Sequence, residues 1–203
     1  MTDSKTNQPD PVSVIDRTEQ AHTLLQPARL ELMGLLDAPK SAAALARELD
    51  LPRQRINYHL RALESVELIE CVEERKKGNV TERLYRRTGS SYAISASTLG
   101  SLGPEPADVG DQFSSGYQIA RASQVIEELG TLRVAAKAAK KKLPTFALDV
   151  DLRFPNAEAR NAFADDLAAA VADLVRKHHD DKAKGGRYFR FYLGGYPRPA
   201  ARS

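Results

Sequence analysis

The stretch 41-SAAALARELDLPRQRINYHLRALE-64 decides the fold of this chain. Ser41 is a good helix N-cap, and Leu45 and Leu49 follow it at the spacing of one helix face. Pro52 cannot continue that helix, but it suits the start of another one. The stretch therefore predicts two short helices around a tight turn, with the second helix running from about residue 53 to 65.

The second predicted helix has two chemically different faces. Ile56, Leu60 and Leu63 form its apolar stripe. The opposite face carries basic, amide and phenol groups with no acidic residue before Glu64, namely Arg53, Gln54, Arg55, Asn57, Tyr58 and Arg61. Arg bonds guanine edges, Asn and Gln bond adenine edges, and all of them can bind phosphate. Because a solvated helix face normally mixes in Asp and Glu, this face predicts contact with a DNA major groove.

Residues 51–63, LPRQRINYHLRAL, resemble the helix-turn-helix of winged-helix transcriptional regulators of the ArsR type. In that pattern a small polar run opens the recognition helix and His-Leu-x-x-Leu anchors it, beginning here at His59. A Pro-x-Arg-Leu element precedes it, here at residues 27–30. Pro52 stands where the family more often has Ser, so the usual side-chain cap is missing. The resemblance covers about residues 18–87 and implies a dimeric DNA-binding regulator.

A β-hairpin is predicted directly after the recognition helix. Residues 68–73 and 80–85 alternate in polarity, and the turn signal Lys76-Lys77-Gly78-Asn79 lies between them. This hairpin would be the wing, with a basic patch made by Arg75, Lys76 and Lys77 at the tip and by Arg83, Arg86 and Arg87 on the returning strand. Taken alone, such a hairpin could simply be solvated. Its place after the recognition helix favours contact with phosphates or a minor groove.

The predicted DNA-binding residues therefore come from three places, which are the cap of the first helix, the polar face of the second helix, and the hairpin. They are Ser41, Arg53, Gln54, Arg55, Asn57, Tyr58, Arg61, Arg75, Lys76, Lys77, Asn79 and Arg83. His59 lies beside the apolar stripe and is predicted to pack between helices rather than to contact a base.

The fold class predicted for the whole chain is α+β, with a winged helix-turn-helix domain, a long dimerisation helix and a small C-terminal β-α-β unit. Residues 1–14 are polar with two prolines and are predicted to be a disordered tail. The DNA-binding domain spans 15–88, with a first helix at about 15–25 and a second helix opened by Pro27. Residues 89–112 form a linker containing one short strand at 91–95. Residues 113–203 form the dimerisation helix and the C-terminal α/β unit.

The long helix is predicted over residues 113–142 and ended by Pro144. Its apolar stripe repeats at three- and four-residue steps through Ile119, Ala122, Ile126, Leu129, Leu132 and Ala136. A long amphipathic helix beside a winged helix is typical of a dimerisation element, so we expect a homodimer.

The C-terminal stretch combines two alternating segments and one helix. Residues 145–154 and 187–193 read as half-buried strands, and Asn156 caps a helix that runs to about residue 178 with Phe163, Leu167, Ala170, Val171 and Leu174 as its core face. Strand, helix and strand predict a right-handed crossover. Two strands alone make a marginal sheet, so the strand at Tyr92 or a partner subunit is expected to complete it.

Composition sets wider limits. The chain has 203 residues, 42% of them hydrophobic, with a net charge of +3 and a pI near 9.0. It can therefore bury a core in one or two domains, and its charge supports nucleic-acid binding only weakly. Cys71 is the only cysteine, which excludes an intrachain disulfide and favours a half-buried strand residue. We find neither an apolar run that could span a bilayer nor a signal peptide, so a cytoplasmic protein is expected.

Three other readings of the chain stay open at this stage. The residues 178-HHDD-181 offer metal ligands, but neighbours on a helix point apart, and a solvated helix end explains them better. Tyr117, Phe146, Phe189, Phe191 and Tyr192 could line an effector pocket, although core packing explains them at least as well. A protein-interaction module without specific DNA binding is the main alternative function.

The predicted function is a sequence-specific regulator, expected to be a repressor, whose partners are double-stranded DNA, a second copy of the chain and an effector that the sequence does not identify. We find no phosphate-binding glycine motif and no nucleophile triad, so neither an enzyme nor a cofactor is predicted.

Overall fold

A computed structural model of the chain describes residues 9–77 and 80–199. It combines helices with small sheets, in agreement with the predicted mixed class. The chain divides into two compact units, Met1–Leu143 with Tyr196–Ser203, and Pro144–Gly195. Within the described ranges, no helix is both long enough and apolar enough to cross a membrane.

Four short helices build the core of the first unit. They are α1 (Thr18–Leu24), α2 (Pro27–Leu35), α3 (Ala42–Glu48) and α4 (Arg53–Ser65). The side chains of Leu32, Leu36, Leu45, Ile56, Leu60 and Leu63 are at most 1% exposed, and all belong to one apolar cluster. Pro27 opens α2 and the stripe of α4 is buried, so both predictions are confirmed.

The turn between α3 and α4 follows from local chemistry. The Ser41 hydroxyl accepts a hydrogen bond from the Ala44 amide at 3.3 Å, which confirms the predicted cap of α3. Asp50 takes a left-handed conformation with φ of 50°, which a short Asp side chain tolerates. Pro52 is the N-cap residue of α4, and no side chain caps this helix, as the proline at this position predicts.

A three-stranded antiparallel sheet combines one short strand before α3 with two strands that follow α4. Strand β2 (Lys40–Ser41) pairs with β4 (Val80–Arg87), and β4 pairs with β3 (Ile69–Lys77), in the order β2-β4-β3. The predicted hairpin is thus confirmed, and Cys71 is half-buried on β3. The register shifts between Cys71 and Glu73, so Glu74 rather than Glu73 lies opposite Arg83.

The N-terminal segment differs from its prediction. Ser13–Ile15 forms a strand, β1, which pairs in parallel with β5 (Tyr92–Ile94), the short strand that the sequence predicts. The predicted disordered tail is therefore wrong for residues 13–14, and the predicted helix start at 15 is also wrong; residues 1–8 lie outside the described ranges. The cause is tertiary, because Ile15 is only 1% exposed and its carbonyl accepts from the Ser95 amide at 2.8 Å.

Two 3-10 segments, Ala96–Leu102 and Pro106–Asp108, lead into the long helix α5 (Ser115–Ala138). The helix ends at Ala138, before the predicted end at residue 142, so Pro144 does not end it. Lys140 takes φ of 53°, and the Lys141 amide donates to the Ala136 carbonyl at 2.9 Å, which is a Schellman-type end.

Helix α5 packs against β1 through a close approach and a small charge cluster. A Cβ atom on Gly130 would lie 3.0 Å from the Cβ and Cγ1 atoms of Val14. Asp10 faces Lys137 at 3.6 Å and Arg133 at 3.8 Å, and Arg133 also donates to the Val12 carbonyl. The absence of a side chain at Gly130 therefore sets how closely α5 lies on β1.

The second unit contains one long helix, α6 (Ala157–His178), with the predicted cap, since the Asn156 side chain accepts from the Ala159 amide at 2.8 Å. The two predicted strands are wrong for this chain. Segments 145–154 and 187–193 form no ladder, although the Phe146 and Phe191 rings lie 5.6 Å apart. Alternation makes an extended segment amphipathic, but a strand also needs a hydrogen-bonded neighbour.

The side chains predicted to form the core of the second unit are exposed to solvent. Phe146 is 77% exposed and Leu148 is 82% exposed, and on α6 the side chains of Phe163 and Leu167 are 40% and 38% exposed. No described residue of this unit is buried. The predicted β-α-β unit is therefore reduced to one helix flanked by extended segments.

We expect Gly130→Ala to lower the free energy of unfolding by up to about 2 kcal/mol. Forcing a methyl group against Val14 costs roughly 1–3 kcal/mol, and the gain of about 1 kcal/mol from better helix propensity offsets only part of it. Gly116→Ala on the same helix is the matched control, since its nearest neighbour is the Ser114 hydroxyl at 3.8 Å. Urea unfolding followed by circular dichroism measures both variants, and equal stabilisation by both would contradict close packing at Gly130.

Candidate nucleic-acid interface

Helix α4 presents a polar side because its apolar side is fixed in the core. Burial of Ile56, Leu60 and Leu63 turns the predicted groove-facing residues away from the core. Arg53, Gln54, Arg55 and Arg61 are exposed, Tyr58 is 63% exposed, and Asn57 is half-buried. The structure thus brings all six of these predicted residues to one helix.

The cations of α4 are also available for an outside partner. Arg53, Arg55 and Arg61 make no ion pair with any other described residue. An unpaired guanidinium keeps all of its donors for a base edge or a phosphate. Tyr58 adds an aromatic ring, whose neighbour is the ring of His59 at 5.3 Å between centroids.

Ser41 is one of the predicted DNA-binding residues, but its side chain faces the protein. It is only 6% exposed, and its hydroxyl caps α3. We therefore assign it the role of holding α3 in place beside α4.

The hairpin is less basic than its sequence suggests, because acidic residues neutralise several of its cations. The Arg75 guanidinium donates to both carboxylate oxygens of Glu73, at 2.6 and 2.9 Å. This hydrogen bonding lowers the pKa of Glu73 and raises the pKa of Arg75. Arg86 pairs with Glu70 at 2.9 Å. Lys76 is exposed and has no ion pair within the described ranges, whereas Asn79 and the side chain of Lys77 lie outside them.

Arg83 joins α4 to the hairpin. Two of its nitrogens donate to the Glu64 carboxylate, at 2.7 and 3.3 Å, and its Nε faces Glu74 at 3.3 Å. Its guanidinium also lies 5.0 Å from the centroid of the Tyr85 ring. The hydrogen bonds to Glu64 raise the pKa of Arg83 above its ordinary value. All three guanidinium nitrogens have partners, so the side chain fixes the hairpin against the end of α4.

Two buried polar side chains lie behind the exposed side of α4. His59 is 7% exposed, which confirms its predicted packing role, and Arg29 of α2 is 5% exposed. Burial, then the charge of Arg29, then the charge of Arg55 lower the pKa of His59. Sequence reasoning noted Arg29 only as part of the Pro-x-Arg-Leu element, which was the available signal for it.

The residues considered for an effector pocket belong to different units. Tyr117 lies on α5 in the first unit, where its hydroxyl accepts from Arg121, while Phe146, Phe189, Phe191 and Tyr192 belong to the second unit. A cleft of about 700 Å³ opens between α5 and the 3-10 segments, with no aromatic residue in its lining. Among the described residues, no group of three or more His, Cys, Asp or Glu side chains is placed to hold a metal ion.

Comparison with known families supports a DNA-binding regulator. A family model described as a helix-turn-helix domain matches residues 24–72, which include α2, α3, α4 and the start of β3. A search of the curated proteins found no match to the chain.

We expect Glu64→Gln and Arg83→Gln each to weaken DNA binding by roughly two- to fivefold, the range expected for a partly exposed ion pair. Either change removes the ion pair between the hairpin and α4. The double variant should therefore bind DNA no more weakly than either single variant. Fluorescence anisotropy on a short duplex measures all three. If Arg83 instead contacts DNA directly, Glu64→Gln would free its guanidinium, and only Arg83→Gln would lower affinity.

Proposed function

We propose that the protein is a sequence-specific transcription regulator of the winged-helix, ArsR-like kind, which acts as a homodimeric repressor without enzymatic activity. The observation that carries this proposal is the outer side of α4, where three unpaired arginines and the amides Gln54 and Asn57 lie together without an acidic neighbour before Glu64. The family match at residues 24–72 supports the DNA-binding part.

In this mode of binding, α4 lies in a major groove with its N-terminal residues nearest the bases. Arg53, Gln54 and Arg55 occupy the first turn of α4, so they are the strongest candidates for base contacts. The hairpin serves as the wing, and Lys76 reaches the flanking phosphates. Arg83 acts through Glu64 by holding the wing in position rather than by contacting DNA.

The proposed dimer forms through the open side of α5. This helix packs against β1 at Gly130, and Ala120 is also buried on it. The same helix also carries a row of apolar side chains, including Ile119, Ile126, Leu129 and Leu132, that are 36–62% exposed. An apolar row of this length on a surface helix is typical of a protein–protein contact. A two-fold dimer would place two α4 helices in half-sites about one helical turn apart.

We expect Arg55→Ala to lose roughly 1–3 kcal/mol of binding to the operator if Arg55 reads a base, and much less on random duplex. The measurement is fluorescence anisotropy on DNA from upstream of the gene and on random duplex, over a salt series. Arg160→Ala on α6, which is exposed and far along the chain from α4, is the matched control.

Two results of that experiment would change the assignment. Equal losses on both duplexes would make Arg55 a phosphate contact. No preference for the upstream DNA at any salt, with or without Arg55, would contradict specific regulation and favour a protein-interaction module.

We expect Ile126→Glu to convert the dimer into monomers, because it places a charge in the middle of the proposed interface. Ala135→Glu is the matched control, since residue 135 lies two and a half turns from Ile126 and so on the opposite side of the helix. Sedimentation equilibrium measures both variants. A wild-type protein that is monomeric throughout, or a dimer that survives Ile126→Glu, would contradict dimerisation through α5.

A further inference from the structure

Tyr58 differs in chemistry from the other side chains on the exposed side of α4. It is 63% exposed, whereas His59, the other ring of this helix, is 7% exposed. The remaining groups on that side are guanidinium groups and amides, which act through hydrogen bonds. An aromatic ring combines a large apolar surface with a polar tip, and exposed tyrosines are therefore enriched where proteins meet partners. Tyr58 thus adds apolar surface to a side that is otherwise polar.

The ring of Tyr58 is held in place by the core of the protein. Its centroid lies 5.3 Å from that of the His59 ring, and the two planes meet at 67°, which is an edge-to-face arrangement. Because His59 is buried, Tyr58 leans on a fixed neighbour rather than moving freely in water. A side chain that is already ordered loses less conformational entropy when it binds.

Tyr58 also lies in line with the residues that are the candidates for base contacts. Gln54, Tyr58 and Arg61 follow one another at steps of four and three residues, which places them on one side of the helix. The ring therefore stands one turn beyond Gln54, next to side chains that can reach base edges. A DNA groove that receives Gln54 and Arg61 would also receive the ring.

The major groove carries one apolar group that the arginines and amides of α4 are not suited to recognise. Base edges there present hydrogen-bond donors and acceptors, and thymine also presents its C5-methyl group, which is recognised by apolar contact. We infer that Tyr58 is a specificity-determining residue whose ring contacts the C5-methyl group of a thymine. This inference rests on the proposed function, because it assigns a base contact to the same helix.

The test removes the methyl groups from the DNA and leaves the base pairs in place. The probe is a duplex from upstream of the gene, made once with thymine and once with deoxyuridine at every thymine position. Fluorescence anisotropy gives the affinity of the full chain for each duplex at one salt concentration. We expect wild-type protein to bind the thymine duplex roughly two- to fivefold more tightly for each methyl group contacted, as burial of about one CH₂-sized group implies.

Two substitutions assign this preference to the ring. Tyr58→Ala should bind both duplexes with equal affinity, since the apolar contact is gone. Tyr58→Phe is the matched control, because it keeps the ring and should keep the preference for thymine. The exposure of Tyr58 means that neither change opens the core, and circular dichroism checks that both variants fold. Comparing two proteins on two duplexes isolates the ring–methyl contact from other effects of deoxyuridine on the DNA.

The outcomes separate the inference from the proposed function. Specific binding to upstream DNA that is equal with thymine and deoxyuridine would overturn the inference and leave the proposed function standing. A preference for thymine that persists in Tyr58→Ala would overturn it as well, because the methyl group would be recognised elsewhere. An equal loss by Tyr58→Phe on both duplexes, without a preference for thymine, would make the hydroxyl a phosphate contact instead. Absence of specific binding to either duplex would contradict the proposed function and the inference together.

Discussion

The burial of one narrow stripe on α4 is the constraint from which the interface follows. Ile56, Leu60 and Leu63 are each almost fully buried, and burying a side chain of this size contributes about 1.5–3 kcal/mol. Successive residues of a helix are 100° apart, so turning α4 by one residue would carry this stripe towards water. The core therefore fixes the rotation of α4, and the rotation fixes which side chains face a partner.

Charge is distributed unequally between α4 and the hairpin. The exposed arginines of α4 have no acidic partner among the described residues, whereas Arg75, Arg83 and Arg86 of the hairpin are paired with Glu73, Glu64 and Glu70. A net charge of only +3 is thus compatible with a strongly basic surface, because the neutralised cations lie elsewhere. The paired arginines give the hairpin a defined position relative to α4.

Features that depend on near neighbours in the chain were predicted from the sequence, and features that depend on distant ones were not. The cap at Ser41, the break at Pro52 and the stripe of α4 are local, and all three are confirmed. The strand at Ser13–Ile15 depends on β5, and the engagement of Arg83 depends on Glu64, so neither shows in a local pattern. Segment 145–154 has a strand-like alternation but lacks a strand to pair with.

The pairing of β1 with β5 has a consequence for how the first unit folds. These strands enclose the helix-turn-helix and the hairpin in sequence, so their contact is among the most distant along the chain in this unit. Distant contacts close late, because the entropy of ordering the intervening chain must be lost first. During synthesis β1 has no partner until β5 has left the ribosome, and α5, which also packs on β1, emerges later still, so the N-terminal strand reaches its final environment only at the end of this unit's synthesis.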